Sequence, residues 1–278
     1  MKKQIFVVNS QKEREPFSFK KVYLSALRAG AESELAKKIA GEIEKEAYDG
    51  ITTYEIFHKV QKMLYKDFPR EGMRFSLKEA MRKLGPSGFP FEKYVSAIFR
   101  ILGFETETNK RILGKCVFHE IDFLAQKGKE IFVSECKFHQ LRGSKVDLKI
   151  ALSHYARFLD LKSSSFFGKN LKIRPMIVTN TKFTSEVIKY AECVKINLLG
   201  WKYPLNRGLE YVIESEKFYP ITILPSLKGE LVELFSRQKI MLAQDLLKID
   251  PSVFSKKFGL EEKIITNLKN EAEILFGK

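Results

Sequence analysis

Glu92, the triplet Glu120-Ile121-Asp122 and the triplet Glu135-Cys136-Lys137 supply acids and a base of the kinds that phosphodiester hydrolysis uses. Side chains alternate faces along a strand, so Glu135 and Lys137 share one face while Cys136 points to the other. Asp122 joins them if its strand pairs with residues 131–138 through the turn Lys127-Gly128-Lys129. Carboxylate oxygens are hard donors that hold Mg²⁺ or Mn²⁺ with several waters left in place, and such an ion stabilises charge building on a phosphate. Asp122 and Glu135 are the expected ligands, with Glu92 binding directly or through a water. Lys137 then orients the attacking water and lowers its pKa. Either triplet alone, being common, reads more simply as an ion pair on a solvent-facing sheet; the combination carries the reading.

The neighbours add less. Glu120 shares a face with Asp122 on a regular strand and is either a further ligand or a surface carboxylate. His119 faces away, which favours a structural or substrate-contacting role. Cys116-x₂-His119 and Cys136-x₂-His139 look superficially like zinc ligands, but residues three apart in a strand face opposite sides, so packed free thiols are expected. On the following helix His154 is either a group that approaches phosphate or an ordinary exposed histidine, and Lys145, Lys149 and Arg157 are candidate DNA contacts.

These residues need a scaffold. A helix is predicted from Phe91, Tyr94, Val95, Ile98, Phe99 and Leu102, ending at Gly103. Strands are expected at 115–118, 121–125 and 131–138, a long helix at about 146–161, a strand at Met176-Ile177-Val178, then a helix and a strand at 196–201. That α-β-β-β-α-β-α-β order argues for a mixed sheet flanked by helices. Upstream, residues 4–8 read as a strand, followed by helices on which Leu24, Leu27, Leu35, Ile39 and Ile43 mark an apolar face. Thr52 or Thr53 caps a helix that buries Ile56, Val60, Met63 and Leu64. The run Gly85-Pro86-Ser87-Gly88-Phe89-Pro90 marks a domain boundary. Past Pro225, residues 227–247 and 261–276 are helical in period, and Phe258-Gly259-Leu260 is compatible with a helix-hairpin-helix or with a plain helical pair.

Helix-Glu, strand-Asp, twelve intervening residues and strand-Glu-x-Lys resemble the PD-(D/E)XK nuclease superfamily, and more closely its Mrr-type (type IV restriction-like) branch. The resemblance runs from about Phe89 to Trp201 and includes Gly88–Val95 and Leu102-Gly103-Phe104. It implies a restriction-endonuclease-like fold and catalytic roles for Glu92, Asp122, Glu135 and Lys137; Ile121 stands in place of the motif's proline. Residues 14–22, 27–31 and 48–56 resemble the ATP-cone, a small mostly helical domain. That likeness implies ATP or dATP as an allosteric ligand held by Lys21, Thr52 and Thr53. The family's usual Lys-Arg-Asp-Gly turn is here Asn9-Ser10-Gln11-Lys12.

Composition agrees with such partners. The net charge of +15 comes with 44% hydrophobic and 30% charged residues, the profile of a folded basic protein suited to phosphate polymers. Three cysteines, no long apolar run and no signal-like start lead to the expectation of a cytoplasmic protein without membrane association. The expected organisation is an α/β protein with an ATP-cone at 1–85, a nuclease domain at 86–225 and a C-terminal helical segment at 226–278. It would act on DNA as a metal-dependent endonuclease and associate as a homo-oligomer. A junction-resolvase-like nuclease and a non-catalytic, nucleotide-responsive DNA-binding regulator are the alternatives.

Overall fold

Phe6–Val8 (β1) lies between two partners, antiparallel to Arg14–Pro16 (β2) and parallel to Ile51–Thr52 (β3). Helices Phe19–Arg28 (α1) and Ser33–Glu46 (α2) intervene. Thr53–Asp67 (α3), Pro69–Phe75 (α4) and Leu77–Arg82 (α5) follow β3. Val22 and Ala26 of α1 pack with Ala36, Ile39, Ala40 and Ile43 of α2 and with Val60 and Leu64 of α3. Leu24, expected on that face, is exposed, because a position two residues from Val22 and Ala26 points off the buried i, i+4 stripe.

In this computed structural model residues 4–85, 88–168 and 170–277 are described. They form two units: one of residues 1–80, 223–227 and 246–278, the other of 81–222 and 228–245. The division falls within α5; Pro86 and Ser87, central to the predicted boundary, lie outside the described residues.

The second unit opens with Phe89–Ile101 (α6). Its sheet consists of Glu105–Leu113 (β4), Phe118–Lys127 (β5), Glu130–Lys137 (β6), Lys172–Thr179 (β8) and Asn197–Leu199 (β10). The spatial order is β10-β8-β6-β5-β4, parallel from β10 to β6 and antiparallel from β6 to β4. Lys145–Val146 (β7) and Lys182–Phe183 (β9) make a separate parallel pair. Leu148–Lys162 (α7), capped by Asp147, and Ser185–Val194 (α8), capped by Thr184, connect the parallel strands. This is the mixed, helix-flanked sheet that the element order predicts. The first predicted strand is displaced, however. Residues 115–117 form a bend, and the strand is the polar edge segment β4.

Phe99 of α6 packs on Phe123 and Phe132, while Phe158 and Leu161 of α7 pack on Leu124, Ile131 and Val133. The two helices therefore cover opposite faces. Tyr94 is fully buried and its hydroxyl donates to the Phe218 carbonyl at 2.8 Å. Leu209–Glu216 (α9) and Gly229–Arg237 (α10) complete this unit.

The stretch 227–247, read as one helix, breaks at Lys239, whose φ is +60°, and resumes as a 3-10 turn at Ala243–Lys248. Pro251–Phe258 (α11) and Glu262–Phe276 (α12) belong to the first unit, where α12 packs against α4. The predicted C-terminal segment 226–278 is thus shared between the two units. Among the described residues no helix is long and apolar enough to cross a membrane.

Candidate functional site

Asp122 lies where β4 and β5 change face. Ile121 and Leu124, three residues apart, both join the apolar cluster of Val133, Phe158 and Leu161, which a strand of strict period two forbids. Phe123 between them packs on Phe99 across the sheet. The register brackets the switch at Thr108↔Phe123 and Lys110↔Ile121, and Asn109 in the gap carries φ +53°. Asparagine is one of the residue types that enters this left-handed region at low cost. The expectation that Glu120 and Asp122 share a face assumed a regular strand, and the switch removes that assumption. Glu120 is exposed.

The β5–β6 register runs from Phe123↔Ser134 to Lys127↔Glu130. Just beyond it, the Asp122 side chain takes the place of a backbone partner, its Oδ2 accepting the Cys136 N–H at 2.6 Å. This holds Asp122 beside the Glu135-Cys136-Lys137 stretch. Glu135 pairs with Arg157 of α7, both partly exposed. Lys137 is half-buried, and its carbonyl accepts the Thr179 hydroxyl at 2.6 Å. Among the described residues its ammonium makes no ion pair. Glu92, in the first turn of α6, completes the group.

Burial and neighbouring charge both act on these acids. Burial first, then Asp122, Glu135 and Glu120, push Glu92 up to about 7. Burial and Glu135 push Asp122 up to about 6, against the opposing effects of the Cys136 N–H and the Arg157 guanidinium. Glu135 raises both Glu92 and Asp122, and Asp122 raises Glu92, so the surroundings of these two acids are short of positive charge. Among the described residues no three His, Cys, Asp or Glu side chains could hold a metal ion as they stand. Glu135 faces Arg157 and Asp122 faces a backbone N–H, so both must turn to share an ion. The donor set, carboxylate oxygens alone, fits Mg²⁺ or Mn²⁺ chemically.

His154, proposed from sequence as a phosphate contact, is 1% exposed and therefore unable to meet DNA from its present position. Its Nδ1 lies 3.9 Å from Glu135 Oε2, and among the described residues neither ring nitrogen has a hydrogen-bond partner. Burial and the Arg157 charge push it down to about 4, so it is neutral near pH 7. Lys145 and Lys149 are exposed, as DNA contacts must be. His119 Nε2–H donates to the Asp160 carboxylate at 2.7 Å, a structural contact, which is one of the two roles expected of it. Cys116 is exposed and Cys136 buried, both as free thiols.

In the first unit a cavity of about 210 Å³ is lined by Lys21, Thr53, Phe17, Phe57 and Phe75, among others. Lys21 is paired with Glu15 at 2.7 Å. Thr52 is spent on capping α3, its hydroxyl accepting the Glu55 N–H at 3.1 Å. Of the three predicted nucleotide residues, the cavity brings together two.

A family model described as AF1548-like, C-terminal, matches residues 219–276. An uncharacterized protein of Archaeoglobus fulgidus is 40% identical over 175 residues, which is 63% of this chain and 95% of that protein. The crystal structure of AF1548, a protein of unknown function, matches with TM-score 0.61 at 35% identity, covering 69% of this chain and 100% of the other. The chain belongs to the AF1548-like family. Neither AF1548-like relative carries an activity in its description, so the chemistry rests on the acidic site itself. The family match at 219–276 spans both units of this AF1548-like protein.

Proposed function

We propose that this protein is a metal-dependent DNA endonuclease of the PD-(D/E)XK kind, with a restriction-endonuclease-like sheet unit. The observation that carries the reading is the convergence of three acids beside Lys137: Asp122 accepts the Cys136 N–H at 2.6 Å next to Glu135 and Lys137, and Asp122 and Glu135 both raise Glu92. A bound Mg²⁺ or Mn²⁺ would stabilise the charge that develops on the phosphate. Asp122 and Glu135 hold the ion, with Glu92 beside them, once Arg157 releases Glu135. Lys137 sits two residues from Glu135 and orients the attacking water. Arg157, freed from its carboxylate, contacts phosphate with Lys145 and Lys149. The expected setting is restriction or DNA processing inside the cell, and branched DNA is the alternative substrate to duplex. The test is cleavage of modified, unmodified and branched DNA with Mg²⁺, with Mn²⁺ and in EDTA. Asp122→Ala and Glu135→Ala should abolish cutting while DNA is still bound; cutting in EDTA, or by either variant, removes the reading.

A second reading concerns the first unit. The cavity supports an ATP-cone that takes ATP or dATP, with Lys21 leaving Glu15 for a phosphate and Thr53 at the rim. At about 210 Å³ the space suits a base and little more, so sugar and phosphates lie outside it. Calorimetry with ATP and dATP on the wild type and Lys21→Ala, with sedimentation to detect nucleotide-dependent association of copies of the chain, decides it. No heat at millimolar nucleotide leaves the unit structural.

A further inference from the structure

Beyond Asp122, β4 and β5 run on as a two-stranded ribbon with one face packed and the other bare. On the packed face Ile112 and Ile121 meet Phe158 and Leu161 of α7, and His119 meets Asp160. The Asp160 carboxylate also accepts the backbone N–H groups of Cys116 at 2.9 Å and Val117 at 3.4 Å. Its carbonyl accepts that of Lys115 at 3.0 Å. Residue 114 is glycine where a Cβ would collide with that carboxylate. The tip is thus clamped onto α7.

The bare face carries Arg111, Leu113, Phe118 and Glu120, since cross-strand partners share a face and the register pairs Arg111↔Glu120 and Leu113↔Phe118. Phe118 is 57% exposed, with Leu113 and Val117 exposed beside it. The Arg111 guanidinium lies over the Phe118 ring, 4.8 Å from its centroid. Exposed aromatics on rigid supports, stacked with arginine, are the means by which proteins grip bases, by stacking or by wedging between base steps. Phe118 lies four residue steps along the strand from Asp122, roughly 13 Å at about 3.3 Å per residue. That is close to four base steps at about 3.4 Å each.

We propose that the ribbon is a second DNA-contact element, in which Phe118 stacks on or inserts between bases and Arg111 holds the adjoining phosphate. This rests on the nuclease reading for its partner and deepens it by assigning a place where the DNA is distorted near the cut. Charge favours nucleic acid over a second copy of the chain. On and beside that face Arg111 and Lys115 outnumber Glu120 in a protein of net charge +15, and three exposed side chains fall well short of the roughly 1,200 Å² that a stable protein interface buries.

The experiment uses the full chain in EDTA with duplex DNA carrying 2-aminopurine at successive positions. Wild type should raise 2-aminopurine fluorescence at one or two adjacent positions. Phe118→Ala and Phe118→Leu should lose that rise and bind about tenfold or more weakly, while Phe118→Trp keeps both. Arg111→Gln should bind more weakly and reduce the salt dependence by about one counterion. Unchanged affinity and fluorescence in Phe118→Ala overturns the proposal. So does a Phe118→Ala variant that loses self-association in sedimentation while binding DNA normally, since the face then belongs to a second copy. Cleavage measured in Mg²⁺ separates the two ideas. Normal cutting with no role for Phe118 leaves the nuclease reading intact and removes the ribbon. Phe118-dependent binding without cutting by wild type does the reverse.

Discussion

Without metal, the acidic site should make native stability fall as pH rises. Asp122 goes from 3.8 to about 6 and Glu92 from 4.5 to about 7 on folding, so the native state holds protons that the unfolded chain gives up. A raised carboxyl contributes its full stability below the unfolded value and loses it as pH climbs through the folded one. The window is therefore about pH 4 to 7. At about 1.4 kcal/mol per pKa unit the partly buried Asp122 accounts for on the order of 3 kcal/mol. Glu92, half-open to solvent, adds roughly 1 kcal/mol after screening, and the two are not additive because Asp122 raises Glu92 and Glu135 raises both. A loss of about 3–4 kcal/mol corresponds to roughly 10 °C in Tm for a unit of this size. Asp122→Asn should keep the hydrogen bond from Cys136 while removing the charge. Its Tm in EDTA should vary with pH much less than that of wild type and exceed it at about pH 8. Millimolar Mn²⁺ should raise the wild-type Tm at that pH and leave the variant's unchanged. An Asp122→Asn protein with the wild-type pH profile in EDTA would refute the idea that these acids crowd one another.

Arg157→Ala removes the cation that Glu135 holds; removal of one partner from a fully buried pair costs about 3–5 kcal/mol, and this pair is partly exposed, so a loss of roughly 1–3 kcal/mol is expected in EDTA melts. Mn²⁺ should then stabilise this variant more than wild type, and an equal shift in both would show that Arg157 does not stand where the ion goes. Thr52→Ala deletes the α3 cap and should cost about 1 kcal/mol in urea unfolding, with Thr52→Ser close to wild type. Duplex binding by the Asp122→Ala protein, measured by anisotropy, should weaken at least a hundredfold between about 50 and 200 mM salt, and a flat response removes DNA as the main partner.

The helices and the two buried strands were legible because their apolar residues recur at the period of their structure: Tyr94, Val95, Ile98 and Phe99 on α6, and Ile131 and Val133 on β6. β4 escaped because it is an edge strand whose sequence, Glu105 to Arg111, is polar on both sides; alternation carries no apolar signal where only Ile112 is buried. The polar sequence of Arg14–Pro16 and its separation from Ile51–Thr52 hid the small sheet in the same way. At the site, Glu135 and Lys137 follow from period two, but the position of Asp122 depends on a left-handed Asn109 on the neighbouring strand. The run Phe123, Leu124 and Ala125 reflects helices on both faces of the sheet and does not reveal the switch, which shows only in Ile121 and Leu124 reaching one apolar cluster. The Arg157–Glu135 pair joins residues from two elements, and no local pattern in sequence reveals which of several cations an acid will choose.

The first unit is assembled from both ends of the chain, with α12 packed against α4. During synthesis the helices of residues 19–82 leave the ribosome early, yet the helix that packs against them is made after the whole of the sheet unit. The sheet unit, whose residues emerge in between, can close its core while its older neighbour still waits for a partner. Every residue of the sheet unit, and so of the acidic site, precedes residue 246 in the chain, while the helical unit still lacks α11 and α12 at that point. The order in which the two units are completed is the reverse of the order in which their first residues are read.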